Sequence, residues 1–154
     1  YMATLGKAVS VSGAFVAGSS AVIETLIQKA RTYIYTTASS PAIAAATRAA
    51  LRLVKNENDR RERLHSLISR FRLGAEQLGV PLMPSSTAIQ PVLFGKESSA
   101  LAASEALLNA GFLVSAIRPP TVPAGTSRLR ITFSAAHTEL EIDRLLSALG
   151  RVVV

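Results

Sequence analysis

The sequence predicts an α/β chain in two parts, because short β-branched or alternating runs bounded by glycine and proline are interspersed with longer segments whose apolar residues recur every three or four positions. A polar break, Lys55-Asn56-Glu57-Asn58, separates two such helical segments and sets the parts at residues 1–56 and 57–154. Beyond it the order strand, helix, strand, strand, helix calls for antiparallel strands packed on helices. With 49% apolar side chains, 18% charged and a mean hydropathy of +0.32, the 154 residues can fill a core and are poor candidates for disorder.

The first residues are small and apolar, and Gly13-Ala14-Phe15-Val16-Ala17-Gly18 reads as a short buried strand between turn residues. A helix is expected over 20–32, followed by a hydroxyl-rich, β-branched segment over 33–40. Pro41 suits the first turn of the next helix, whose stripe is Ile43, Ala46, Ala50, Leu51 and Val54. Past the break, Leu64, Leu67, Ile68, Phe71, Ala75 and Leu78 share one face of a helix that Gly79 ends.

A strand over 88–94 contains Pro91 and is therefore expected at a sheet edge. Ser98 or Ser99 can cap a helix running to Asn109, and a strand over 112–117 follows Gly111. Three prolines stiffen the loop over 118–125. The strand over 127–133 alternates Leu129, Ile131 and Phe133 with Arg128, Arg130 and Thr132. Thr138-x-x-Glu141 is a capping box for a last helix with the stripe Ile142, Leu145, Leu146 and Leu149.

Composition narrows the chemistry. Zero cysteines exclude a disulfide framework and thiolate metal sites, and two histidines offer little for an imidazole site. The uncharged stretch over 77–95 holds three prolines and two glycines, so no transmembrane helix is expected. Tyr1 is no initiator and no leader pattern precedes the first apolar run, so the chain reads as a piece of something longer. A net charge of +7 raises the question of anionic partners.

Three places can carry chemistry. Lys7 is an isolated ammonium in a glycine-punctuated apolar segment; it is either a strand-end lysine reaching solvent or a desolvated, reactive amine. Arg118 and Arg130 flank the stiff loop and can grip a carboxylate or phosphate, or else lie on a solvated sheet face. The run Arg60, Arg61, Arg63, Arg70 and Arg72 is interleaved with Glu57, Asp59 and Glu62 and lacks aromatics, which favours a solvated outer face over nucleic-acid binding. His65 and His137 have no partner at a spacing that suggests a dyad.

The string Thr4-Leu5-Gly6-Lys7-Ala8-Val9-Ser10-Val11-Ser12-Gly13-Ala14 resembles the cofactor-lysine motif of the α-oxoamine synthases. Arg118-Pro119-Pro120-Thr121-Val122-Pro123-Ala124-Gly125-Thr126, Tyr35-Thr36-Thr37 and Ala88-Ile89-Gln90-Pro91 extend the likeness over essentially the whole chain. The resemblance implies the C-terminal part of a fold-type I pyridoxal-phosphate-dependent transferase: the end of the large cofactor domain over 1–56 and a small α/β domain with an antiparallel sheet over 57–154. By the same resemblance pyridoxal 5′-phosphate is held by Lys7, its Schiff-base partner, by Thr4, and by Thr36 and Thr37 acting on the cofactor phosphate of a second subunit in a homodimer.

Arg130 then matches the family arginine for the amino-acid carboxylate, and Arg118 and Thr121 the loop near the substrate. The implied reaction is a decarboxylative condensation of L-alanine with a pimeloyl thioester carried on coenzyme A or acyl carrier protein. Members acting on glycine or serine, or with acetyl, succinyl or palmitoyl thioesters, remain alternatives. A cytoplasmic enzyme without nucleic-acid or membrane partners is expected. Other family elements, an aspartate for the pyridinium nitrogen, a ring-stacking histidine and a phosphate loop, precede the lysine, so the 154 residues alone are expected to be inactive. Ser10 stands where the family commonly has glycine, which calls for a local backbone adjustment.

Overall fold

A computed structural model describes residues 1–153. The chain divides after Asn58 into two compact units. The first holds β1 (Met2–Thr4), β2 (Ala14–Val16), α1 (Ser20–Lys29), α2 (Arg31–Ile34) and α3 (Pro41–Asn56). The second holds α4 (Asn58–Gln77, entering from the boundary residue), β3 (Ile89–Gly95), α5 (Glu97–Asn109), β4 (Ser115–Ile117), β5 (Ser127–Thr132) and α6 (Glu139–Val153).

In the first unit β1 and β2 form an antiparallel pair with Met2 opposite Val16 and Thr4 opposite Ala14. The connecting loop is folded on itself by Leu5 N–H to Gly13 O (2.9 Å) and Val11 N–H to Leu5 O (3.1 Å). Helix α1 ends at Lys29, earlier than expected: Ala30 turns extended, and its carbonyl accepts from Tyr33 and Ile34 to form α2, which starts at Arg31 and reaches two residues into the segment read as β-branched. Pro41 occupies the first turn of α3, with the Ser40 hydroxyl accepting from Ala42 N at 3.3 Å. Contrary to the buried strand expected over 13–18, Phe15 and Val16 are 48% and 45% exposed, and the α3 stripe likewise meets no core. None of the residues of these five elements is buried, so amphipathic pattern and burial part company here.

The second unit carries the hydrophobic core. Its sheet runs β3-β5-β4, all antiparallel, with Leu129 between Val92 and Ala116. The alternation in β5 works as predicted: Leu129, Ile131 and Phe133 are buried with Val92, while α4 adds Leu67, Ile68, Phe71 and Ala75. Helix α6 contributes Ile142, Leu145, Leu146 and Leu149 to the same core. The Phe71 and Phe133 rings meet at 4.9 Å with a 57° tilt, an arrangement that lets ring edge meet ring face. Burying such side chains is worth roughly 1.5–3 kcal/mol each, the dominant favourable term for this unit.

Local signals explain the element ends. Gly79 (φ 69°) and Gly111 (φ 88°) close α4 and α5 with paired bonds: Gly79 N–H to Glu76 O with Val80 N–H to Ala75 O, and Gly111 N–H to Leu108 O with Phe112 N–H to Leu107 O. The second closure uses Phe112, which is why β4 begins at Ser115 and not at 112. Helix α5 starts at Glu97, ahead of the serines expected to cap it, and Lys96 at the N-cap gives no side-chain bond. Pro91 lies on the edge strand β3, whose outer side pairs with the preceding segment through Met83 N–H to Pro91 O (3.0 Å) and Leu93 N–H to Pro81 O (2.9 Å). The capping box of α6 forms: Thr138 N–H donates to Glu141 Oε2 (2.7 Å) and Glu141 N–H to Thr138 Oγ1 (3.3 Å).

Candidate functional site

The residues singled out from sequence fall in two groups, one per unit. Thr4, Lys7, Thr36 and Thr37 belong to the first, and Arg118, Thr121 and Arg130 to the second; all seven are exposed.

Thr4 ends β1, and Lys7 opens a tight turn in which Ser10 N–H donates to Lys7 O at 2.9 Å. Ser10 makes that turn by taking the left-handed conformation itself (φ 56°), its hydroxyl donating to Lys7 O at 3.2 Å. The backbone adjustment expected from serine in place of glycine is thus made at Ser10. Within this chain the Lys7 side chain is exposed, and Leu5, Val9 and Val11, its apolar neighbours in sequence, are half-buried. Thr36 spends its hydroxyl on Thr32 O (2.5 Å), and Thr37 lies in the irregular stretch before α3.

In the second unit Arg130 sits mid-strand on β5 opposite Pro91 and Ser115. Arg128 shares its strand face and donates from Nε to Thr126 O at 2.9 Å. Arg118 leaves β4 into the proline loop, where Pro119-Pro120 is cis and Thr121 N–H bonds to Arg118 O at 3.0 Å. A small open cavity of about 300 Å³ is lined by Ala116, Ile117, Arg118 and Thr121 with the two prolines. Arg118 Nη1 lies 3.0 Å from Glu97 Oε1, a partner that sequence reasoning missed because no local spacing joins a helix start to a distant loop.

The arginine run corrects another expectation. Arg70, Arg63 and Arg72 are structural ties and not members of a merely solvated face. Arg70 meets Asp143 and Glu139 of α6, Arg63 donates to Ala135 O (2.8 Å) and His137 O (3.0 Å), and Arg72 donates to Gln90 Oε1 (2.6 Å) and Met83 O (3.4 Å). The hydrogen bond to Asp143 raises Arg70 above the usual guanidinium range and holds Asp143 below the usual carboxylate range. Glu141 is held low first by the Thr138 backbone N–H and then by its hydroxyl. His137 accepts from Ser134 N–H at Nδ1 (3.1 Å) and sets its ring edge-on to Phe133, a structural role. Among the described residues, no cluster of three or more His, Asp or Glu could hold a metal, and no helix is long and apolar enough to cross a membrane.

Comparison with known proteins shows the family. The family model for aminotransferase class I and II matches residues 1–149. The chain is 65% identical over 150 residues, 97% of its length, to 8-amino-7-oxononanoate synthase of Thioalkalivibrio sulfidiphilus. Solved structures superpose closely: SPT at high resolution with PLP gives a TM-score of 0.89 at 29% identity, covering 98% of this chain and 38% of that one. The 8-amino-7-oxononanoate synthase of Francisella tularensis gives 0.87 at 31%, covering 99% and 44%. The chain spans about 38% of the length of the curated relatives it matches. An α/β chain that matches the family model over all but its last few residues, and overlays solved members of such size, belongs to the aminotransferase class I and II family.

Proposed function

We propose that this chain is part of a pyridoxal-phosphate-dependent acyltransferase that condenses L-alanine with a pimeloyl thioester, releasing CO2 and the carrier thiol, to give 8-amino-7-oxononanoate for biotin synthesis. The observation that carries the reading is the 65% identity over 97% of the chain to a synthase of that name. Structural likeness alone does not choose, since SPT and the solved synthase lie at 29% and 31% identity. On this reading residues 1–56 end the cofactor domain and 57–154 form the small domain. The activity belongs to the complete polypeptide, a cytoplasmic homodimer, and not to the 154 residues alone.

The residues present suit pyridoxal phosphate in their chemistry. A primary amine and a nearby hydroxyl, Lys7 and Thr4, stand exposed at one end of a hairpin, with no ion pair at Lys7 among the described residues. An added Cβ at Gly6 would come no closer than 3.9 Å to Val11 O, which leaves the backbone open to a ligand. Lys7 would hold the cofactor aldehyde and Thr4 its phosphate, with Thr37 reaching the phosphate bound in the second subunit and Thr36 doing so by turning its hydroxyl away from Thr32 O. When bound, that group supplies an electron sink for charge left at the substrate Cα.

The chain's own residues do the rest. Lys7 Nζ, once released, takes the α-proton from alanine as general base. Arg130 holds the alanine carboxylate through parallel N–H bonds, which fixes the bond to be cleaved as much as it offsets charge. Arg118 and Thr121 border the substrate, and the proline loop keeps that border stiff. Product analysis tests the assignment: alanine, glycine and serine are each offered with pimeloyl, acetyl, succinyl and palmitoyl thioesters. Alanine with the pimeloyl thioester, on coenzyme A or acyl carrier protein, is expected to dominate; preferred use of glycine or serine would overturn it.

A further inference from the structure

The proline loop braces the backbone of Arg118 but leaves its charged end to be held from elsewhere. Thr121 N–H donates to Arg118 O at 3.0 Å, and Thr126 closes the far turn by donating to Pro123 O from its N–H (3.2 Å) and its Oγ1 (2.7 Å). Three prolines limit the remaining dihedrals of the loop. None of this fixes the guanidinium, which hangs on a stem of several rotatable bonds and is half-exposed, at 50%.

Glu97 supplies what the loop does not. Its Oε1 lies 3.0 Å from Arg118 Nη1, and among the described residues no other ion pair or hydrogen bond engages that guanidinium. Glu97 is the first residue of α5, and this helix is fixed in the core by Ala100, Ala103 and Leu107, each at most 3% exposed. The first turn of a helix is also where a carboxylate is favoured. The contact therefore ties the flexible end of Arg118 to a packed element far upstream in sequence. Only Nη1 is used, so Nε and Nη2 remain donors for an acceptor in the substrate. A surface pair of this kind adds little to stability, because solvent screens it and ordering two long side chains opposes it. Where the guanidinium belongs to a binding site, that ordering happens before the substrate arrives and leaves less entropy to lose on binding.

We propose that Glu97 is a positioning residue: its carboxylate holds the Arg118 guanidinium at the substrate border and acts on binding through Arg118 alone. This role rests on the reading above, in which Arg118 borders the substrate. It gives the start of α5 a part in the site that no sequence motif marks.

The test is a double-mutant cycle in the full-length enzyme loaded with cofactor, comparing wild type, Glu97→Gln, Arg118→Gln and the double variant. KM is measured for alanine and for the pimeloyl thioester, each with the other saturating. Arg118→Gln is expected to raise KM for at least one substrate by about tenfold. Glu97→Gln should raise the same KM about two- to fivefold, with a smaller change in kcat, and should add nothing in the Arg118→Gln background. The Tm of Glu97→Gln should stay within about 2 °C of wild type, so that a folding defect does not account for the change. If Arg118→Gln raises KM and Glu97→Gln does not, or if the two effects multiply, Glu97 has no positioning role while the reading of Arg118 stands. If Arg118→Gln leaves both KM values unchanged, Arg118 does not border the substrate and the role of Glu97 falls with it.

Discussion

Arg70 and Asp143 tie α4 to α6 through two parallel bonds, Nε to Oδ1 at 2.8 Å and Nη2 to Oδ2 at 2.7 Å. The pair is half-exposed, at 44% and 45%, so salt screens part of it. Its pH dependence has a definite sign. Hydrogen bonding to Arg70 lowers the folded-state pKa of Asp143, so its contribution is complete above the ordinary aspartate pKa and is lost as pH falls through the folded value. Urea unfolding should show wild type more stable than Asp143→Asn near neutrality, with the gap closing in acid. Glu141, also lowered, loses its contribution in the same direction, so Glu141→Gln should show the same convergence.

Gln90 is fully buried, accepting from Arg72 at 2.6 Å and donating to Thr87 O at 2.6 Å. Replacing it with leucine strands the guanidinium and the carbonyl together. A loss of about 2–4 kcal/mol is expected in denaturant titration of Gln90→Leu. Arg72→Met with Gln90→Leu should recover part of that loss, because both partners are then removed.

Arg130 offers a kinetic test. In the complete enzyme Arg130→Lys keeps the charge but loses the parallel fork, so KM for the amino acid should rise about ten- to hundredfold with a smaller fall in kcat. An unchanged KM would remove Arg130 from the carboxylate site.

Much of the small unit was legible because its elements satisfy local and tertiary demands at once. Leu129, Ile131 and Phe133 alternate in sequence and alternate in burial, and Thr138 with Glu141 form the predicted box. The first unit was less legible. Its stripes are equally regular, yet Leu51 and Val54 are 49% and 45% exposed, since periodicity states that a face is apolar but not what meets it. The neighbours of Lys7 leave open whether its amine reaches solvent or is desolvated, and in this chain it is exposed. Partners distant in sequence, such as Glu97 for Arg118 or Asp143 for Arg70, leave no local signature. The cofactor and substrate roles proposed for Lys7, Thr4 and Arg130 rest on motif resemblance and not on pattern.

The most direct measurement is reductive trapping. The full-length protein is loaded with pyridoxal phosphate, treated with borohydride, digested and mapped by mass spectrometry. The phosphopyridoxyl mass is expected on Lys7 and should vanish in Lys7→Ala. A label on a different lysine, or no label at all, would contradict the assignment of this amine as the cofactor anchor.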